Sequence, residues 1–173
     1  MRKKKLEKLK EKRFWASLRF YARLPDDVEE IPAHIKHFRC KDAGINDDWL
    51  KKMVSVVKSI DMLDLDENEI TNEGVLHLTK LESLKELRLK ACSLIDNESL
   101  DYLNQMTSLE LLHVGGTGIT IEHLVKLSGL NNLKTILVSS DLDKETVREI
   151  LSPIGNELPH CEFIVNHQII SLY

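Results

Sequence analysis

At 173 residues and 42% hydrophobic content the chain is long enough for one domain with a real core. No apolar run reaches the ~20 residues that a bilayer crossing requires, and no secretory stretch opens the sequence. The net charge of −4 conceals a division, +8 over residues 1 to 24 and −12 over the rest, and that asymmetry points to two parts with different tasks.

Residues 1 to 24 favour a helix, containing neither Gly nor Pro. Phe14, Leu18 and Tyr21 recur on one helical face with Trp15 beside them, and Leu6 and Leu9 extend the apolar pattern while drifting around the axis. Pro25-Asp26-Asp27 is expected to end the segment, because the residue before a proline disfavours the helical region. Two readings stand open. In one, residues 13 to 30 form a lid in which Phe14, Trp15 and Phe20 cover the end of the following domain. In the other, Arg2 to Arg23 is a basic amphipathic arm, carrying Lys3, Lys4, Lys5, Lys8, Lys10, Lys12 and Arg13, that docks on an anionic membrane surface, nucleic acid or an acidic partner. Lys outnumbers Arg, and Glu7 and Glu11 interrupt the run, which argues against a mitochondrial transit peptide and leaves the cytoplasm as the expected compartment.

From residue 31 the chain reads as one repeating unit. The second apolar residues of its short Leu-x-Leu-like segments are Cys40, Leu65, Leu89, Val114, Val138 and Phe163, spaced 25, 24, 25, 24 and 25. A fixed period in the twenties is expected of units that hide a strand edge and a helical stripe only by stacking on their neighbours. Each marker is followed by a helix-capping residue, Asn46, Thr71, Asp96, Thr120 or Asp143, and two positions later by an acid, Asp48, Glu73, Glu98, Glu122 or Glu145. A short side-chain acceptor satisfies free amides at a helix start, and an acid suits its positive end. Apolar residues then recur at helical spacing, as in Val75, Leu78 and Leu81, in Leu100, Leu103 and Met106, and in Leu124, Leu127 and Leu130. Each unit is therefore expected to be a short parallel strand, a turn and a short helix. The apolar tail Gln168 to Tyr173 is expected to shield the last edge.

Leu109-Glu110-Leu111-Leu112-His113-Val114 followed by Gly115-Gly116-Thr117-Gly118-Ile119-Thr120, with the closing Leu158-Pro159-His160-Cys161-Glu162-Phe163, resembles the leucine-rich repeat proteins of the bacterial kind. The similarity covers about residues 35 to 165 and is specific for the fold. Leu87 to Met106 also resembles, over one repeat, the mitochondrial ATP-synthase coupling factor B built from such units. The resemblance implies an α/β solenoid with strands on a concave face, helices on a convex face and a helical N-terminal cap. Residues 1–30 would be arm and cap, and 31–173 a domain of about five repeats plus a closing strand. It implies a non-catalytic scaffold or adaptor that binds another protein through the concave face, with no small-molecule substrate and no cofactor.

Motifs that suggest chemistry fail on inspection. Asp64-x-Asp66-x-Asn68 imitates the start of a calcium loop, but Glu69 stands where that loop needs glycine and its twelfth position is Val75. Gly115-Gly116-Thr117-Gly118 lacks the Gly-Lys-Ser/Thr of a phosphate loop and reads as a tight turn. Asn97-Glu98-Ser99 has the form of a glycosylation acceptor, which matters only in a secreted chain. His160 and Cys161 would point to opposite faces of a strand. Cys40, Cys92 and Cys161 are odd in number without paired spacing, so neither a disulfide frame nor a zinc site is expected, and Cys40 and Cys161 read as inward core thiols.

If the strands align, outward side chains flank the inward ones. The triplets are His37, Arg39, Lys41; Met62, Asp64, Asp66; Glu86, Arg88, Lys90; Leu111, His113, Gly115; Thr135, Leu137, Ser139; and His160, Glu162, Ile164. The first three alternate in sign and should pair laterally. The last three place Leu111, Leu137 and Ile164 on an exposed face, the kind of patch that marks a protein contact. These residues, with Arg88, His113 and Glu162 to set orientation, are the expected binding surface.

Overall fold

The computed structural model describes residues 2–25 and 30–172; Met1, Asp26 and Asp27 of the expected helix stop, and Tyr173 of the tail lie outside the described residues. Helix α1 (Arg2–Tyr21) is followed by β1 (His34–Arg39), α2 (Asp47–Met53), β2 (Ser59–Asp64), α3 (Asn72–Leu78) and β3 (Ser83–Arg88). A single 3-10 turn, Asn97–Ser99, runs into α4 (Leu100–Leu103), then come β4 (Leu111–His113), a 3-10 segment (Ile121–Leu127), β5 (Thr135–Val138), α5 (Lys144–Glu157), β6 (Glu162–Val165) and β7 (Gln168–Ile170). The seven strands form one sheet in sequence order, β1 to β6 parallel and β7 antiparallel to β6. Parallel neighbours joined by crossovers of one hand carry their helices on the same side. The opposite face of the sheet is left open.

Register follows burial. Phe38, Leu63, Leu87, Leu112, Ile136 and Phe163 are partners across successive strands, and all are buried. Leu65, Leu89 and Val114 lie two residues on, and Val138 pairs with Val165. The marker of the last strand is thus Val165; Phe163 belongs to the row before it. The cause is α5, with 14 residues against seven in α2 and α3, which delivers β6 two residues late. Cys161 accordingly precedes the strand and is only partly buried.

All five expected capping residues sit at helix starts. Asn46, Thr71, Asp96 and Asp143 accept from backbone amides of the first turn, whereas Thr120 makes no such bond and its hydroxyl engages His123 Nδ1 at 3.0 Å. The residue after three of these caps also ties one unit to the next. Asp47 accepts from the Thr71 amide at 2.9 Å, Asn72 from that of Asp96 at 3.1 Å, and Asn97 from that of Thr120 at 2.9 Å. Gly74 is the space that Asp47 requires, because a Cβ there would collide with the Asp47 carboxylate. At Ile121 the side chain is apolar, and this series of bonds stops.

Buried residues form one cluster from Phe14 to Ile170. At its N-terminal end Phe14 and Leu18 of α1 and Ala22 just after it are buried, and Trp49 Nε1 donates to Ser17 Oγ at 3.2 Å while its ring lies 5.3 Å from Phe14 and 5.7 Å from Phe38. Phe20, expected in this lid, is instead 76% exposed. It follows Leu18 by two positions, which turns it about 200° away from the body. At the other end β7 covers the β6 edge through a turn in which Asn166 and His167 take φ of 48° and 67°, and Leu172 packs over Gly155 of α5.

Candidate functional site

The open face carries three rows of side chains. One is His37, Met62, Glu86, Leu111, Thr135 and Glu162; the next is Arg39, Asp64, Arg88, His113, Leu137 and Ile164. The backbone bonds beyond the strands add Lys41, Asp66, Lys90 and Gly115, the Ser139 hydroxyl accepts the Gly116 amide at 3.1 Å, and Asn166 takes the last place. His160 drops out because the late entry of β6 leaves it in the preceding turn.

The N-terminal half neutralises itself, though not wholly by the expected pairs. Arg39 Nε lies 3.4 Å from Asp64, but Lys41 turns to Glu67 at 2.9 Å, and Arg88 meets Glu86 of its own strand at 3.6 Å. Asp66 is too deeply set for Lys41. Its carboxylate accepts the Lys90 amide at 2.8 Å, and burial pushes its pKa up. Asn68 is also committed: its Oδ1 accepts the amides of Ala43 and Ile45, and its Nδ2 donates to the carbonyls of Cys40, Leu65 and Asp66. The calcium-like triplet is therefore a structural bracket between β1 and β2.

In the C-terminal half a recess of about 190 Å³ opens over β4 to β6. Leu137 and Ile164, partners across β5 and β6, form its floor with His113, and Lys90, Ser139, Asn166 and His167 form its rim. Gly115 keeps it open. A Cβ there would stand 3.1 Å from His113 Nε2 and 3.3 Å from Ser139 Oγ. His113 Nδ1 and Arg88 Nε, on residues that are partners across β3 and β4, are buried without a hydrogen-bond partner. Burial, then the cations Lys90, Arg88 and His167, push the His113 pKa down against the weaker pull of Asp64.

Of the residues expected to bind, His113, Leu137 and Ile164 thus come together. Arg88 stands one strand away, and Leu111 and Glu162 lie in the neighbouring row, outside the recess. Asn166 and His167 were hidden from the sequence reading by the shifted strand; the Asn-His pair before an apolar strand was the available signal for a tight turn. The seven basic residues of the arm, Lys3, Lys4, Lys5, Lys8, Lys10, Lys12 and Arg13, all lie exposed on α1.

The thiols are placed for packing. Cys40 Sγ donates to the Asp64 carbonyl and Cys92 Sγ to that of Leu65, and burial raises Cys40, Cys92 (to about 11) and Cys161 (to about 12). Among the described residues no three His, Cys, Asp or Glu side chains converge as metal ligands, and no helix is long and apolar enough to cross a membrane. Set against models of known protein families and against curated proteins, the chain matches none.

Proposed function

We propose that the chain is a leucine-rich repeat solenoid acting as a non-catalytic interaction module, which docks a partner protein on the open sheet face. The observation that carries this reading is the change along the middle row, from the Arg39–Asp64 ion pair to the apolar pair Leu137 and Ile164 beside His113 and Arg88, each with a buried nitrogen unpaired. Apolar floor under a polar rim is the usual anatomy of a contact patch. A partner segment with an aliphatic side chain on Leu137 and Ile164 and a hydrogen-bond acceptor towards Lys90 and His113 would match it. The 24- to 25-residue steps from Cys40 to Val138 support the repeat assignment, and the bacterial-type resemblance supports the class of function.

The test compares Leu137→Glu with Val125→Glu, an exposed position on the helical side. Quantitative capture from native lysate should lose a specific partner with Leu137→Glu and keep it with Val125→Glu, at unchanged melting temperature. Equal recovery of the same partner by both variants would refute this face.

A further inference from the structure

Helix α1 has two apolar stripes, and only one of them is used by the fold. At about 100° per residue, Glu7, Glu11, Phe14, Leu18 and Tyr21 lie along one side. Phe14 and Leu18 on that side are buried, and Tyr21 packs against the core. Leu6, Leu9, Arg13, Ala16 and Phe20, at alternating steps of three and four, lie along the opposite side. Leu6 is 54% exposed, Leu9 46% and Phe20 76%, and every residue from Lys3 to Arg13 is exposed. The stripe spans about 21 Å of helix.

Charge is sorted in part the same way. Lys5 and Lys12 border the outer stripe on one side and Lys10 on the other, and Arg13 lies within it, whereas Lys3, Lys4 and Lys8 lie beyond its borders. Glu7 and Glu11, the acids of this segment, fall on the side of Phe14 and Leu18, away from the stripe. The helix is held in this orientation by the Trp49–Ser17 hydrogen bond and by the Lys52 ammonium, 4.4 Å from the Phe14 ring centroid.

We propose that the outer stripe of α1 binds an anionic lipid surface, lying in the plane of the interface with Leu6, Leu9 and Phe20 inserted and the bordering lysines on the headgroups. Apolar residues flanked by lysines on one helical face are what such a surface selects, and Arg13 can bury its methylenes while its head stays at the phosphates. A nucleic-acid backbone would use the lysines but would leave Leu6, Leu9 and Phe20 in water. Pairing with a second copy would bring Lys5, Lys10 and Lys12 against their own kind. The rest of the chain, at −12, is repelled by the same surface.

The test is co-sedimentation of the full chain with vesicles of phosphatidylcholine alone or mixed with phosphatidylserine, beside filter binding of duplex DNA and single-stranded RNA. The chain should pellet with the mixed vesicles only and be released by high salt. Leu6→Ser/Leu9→Ser/Phe20→Ser, which touches no buried side chain, should weaken pelleting at least about tenfold at unchanged melting temperature. Lys5→Ala/Lys12→Ala should weaken it by roughly fivefold per lysine removed. Absence of pelleting, pelleting unaffected by the triple serine variant, or nucleic-acid binding that is tighter than vesicle binding and survives that variant would each overturn the proposal.

Discussion

His113 shows how one side chain can be set by its surroundings. It stands beside Arg88 on the open face, above Gly115, with Nδ1 buried and unpaired, and burial and nearby cations depress its pKa. The folded chain therefore holds fewer protons at this site than the unfolded chain between the two pKa values. Stability from this source is intact above the unfolded imidazole value of about 6.5 and declines as pH falls through it, levelling off once both forms are protonated. NMR titration should place the His113 midpoint below that of a model imidazole, and His113→Gln should flatten the acid slope of stability. A midpoint at or above the model value would contradict the burial argument.

Among the elements, the strand-to-helix turns hold the units together by different means. Between β1 and β2 the bracket is Asn68, whose amide joins two backbone donors to three acceptors. The equivalent place after β3 is Cys92, which donates only to the Leu65 carbonyl. Asn68→Ala would leave the amides of Ala43 and Ile45 without their acceptor, at a cost of about 1–3 kcal/mol for each group left buried and unpaired. Urea unfolding should show the loss as a lower midpoint at similar slope; a midpoint within error of the parent would show that the turn re-forms its bonds elsewhere. The capping residues and short strands could be read from the sequence because both signals are local, as at Asn46 and Thr71. The entry of β6 could not. It depends on the extra turns of α5, which no residue near Phe163 encodes. The bracket at Asn68 was not legible, since its five partners lie in the separate segments that follow β1 and β2. Phe20 was misread because aromatic content alone does not tell which side of α1 meets the body.

For the molecule as a whole, the division of charge seen in the sequence becomes a division of surfaces. The basic helix presents one face outward, the N-terminal half of the sheet satisfies its own charges, and the C-terminal half leaves Leu137 and Ile164 half-buried beneath a polar rim. His113, Leu137 and Ile164 were legible as outward positions from strand alternation. Lys90 and Ser139 were legible as outward too, but not as rim, because that requires the sheet, the Asn166–His167 turn and the gap at Gly115 to be seen together. Photo-crosslinking tests the proposed docking face most directly. A benzophenone-bearing residue in place of Leu137 should yield discrete adducts with a partner polypeptide in native lysate, whereas the same residue in place of Val125 should not. The same adducts from both positions, or adducts from Val125 alone, would contradict the assignment of partner binding to the open sheet face.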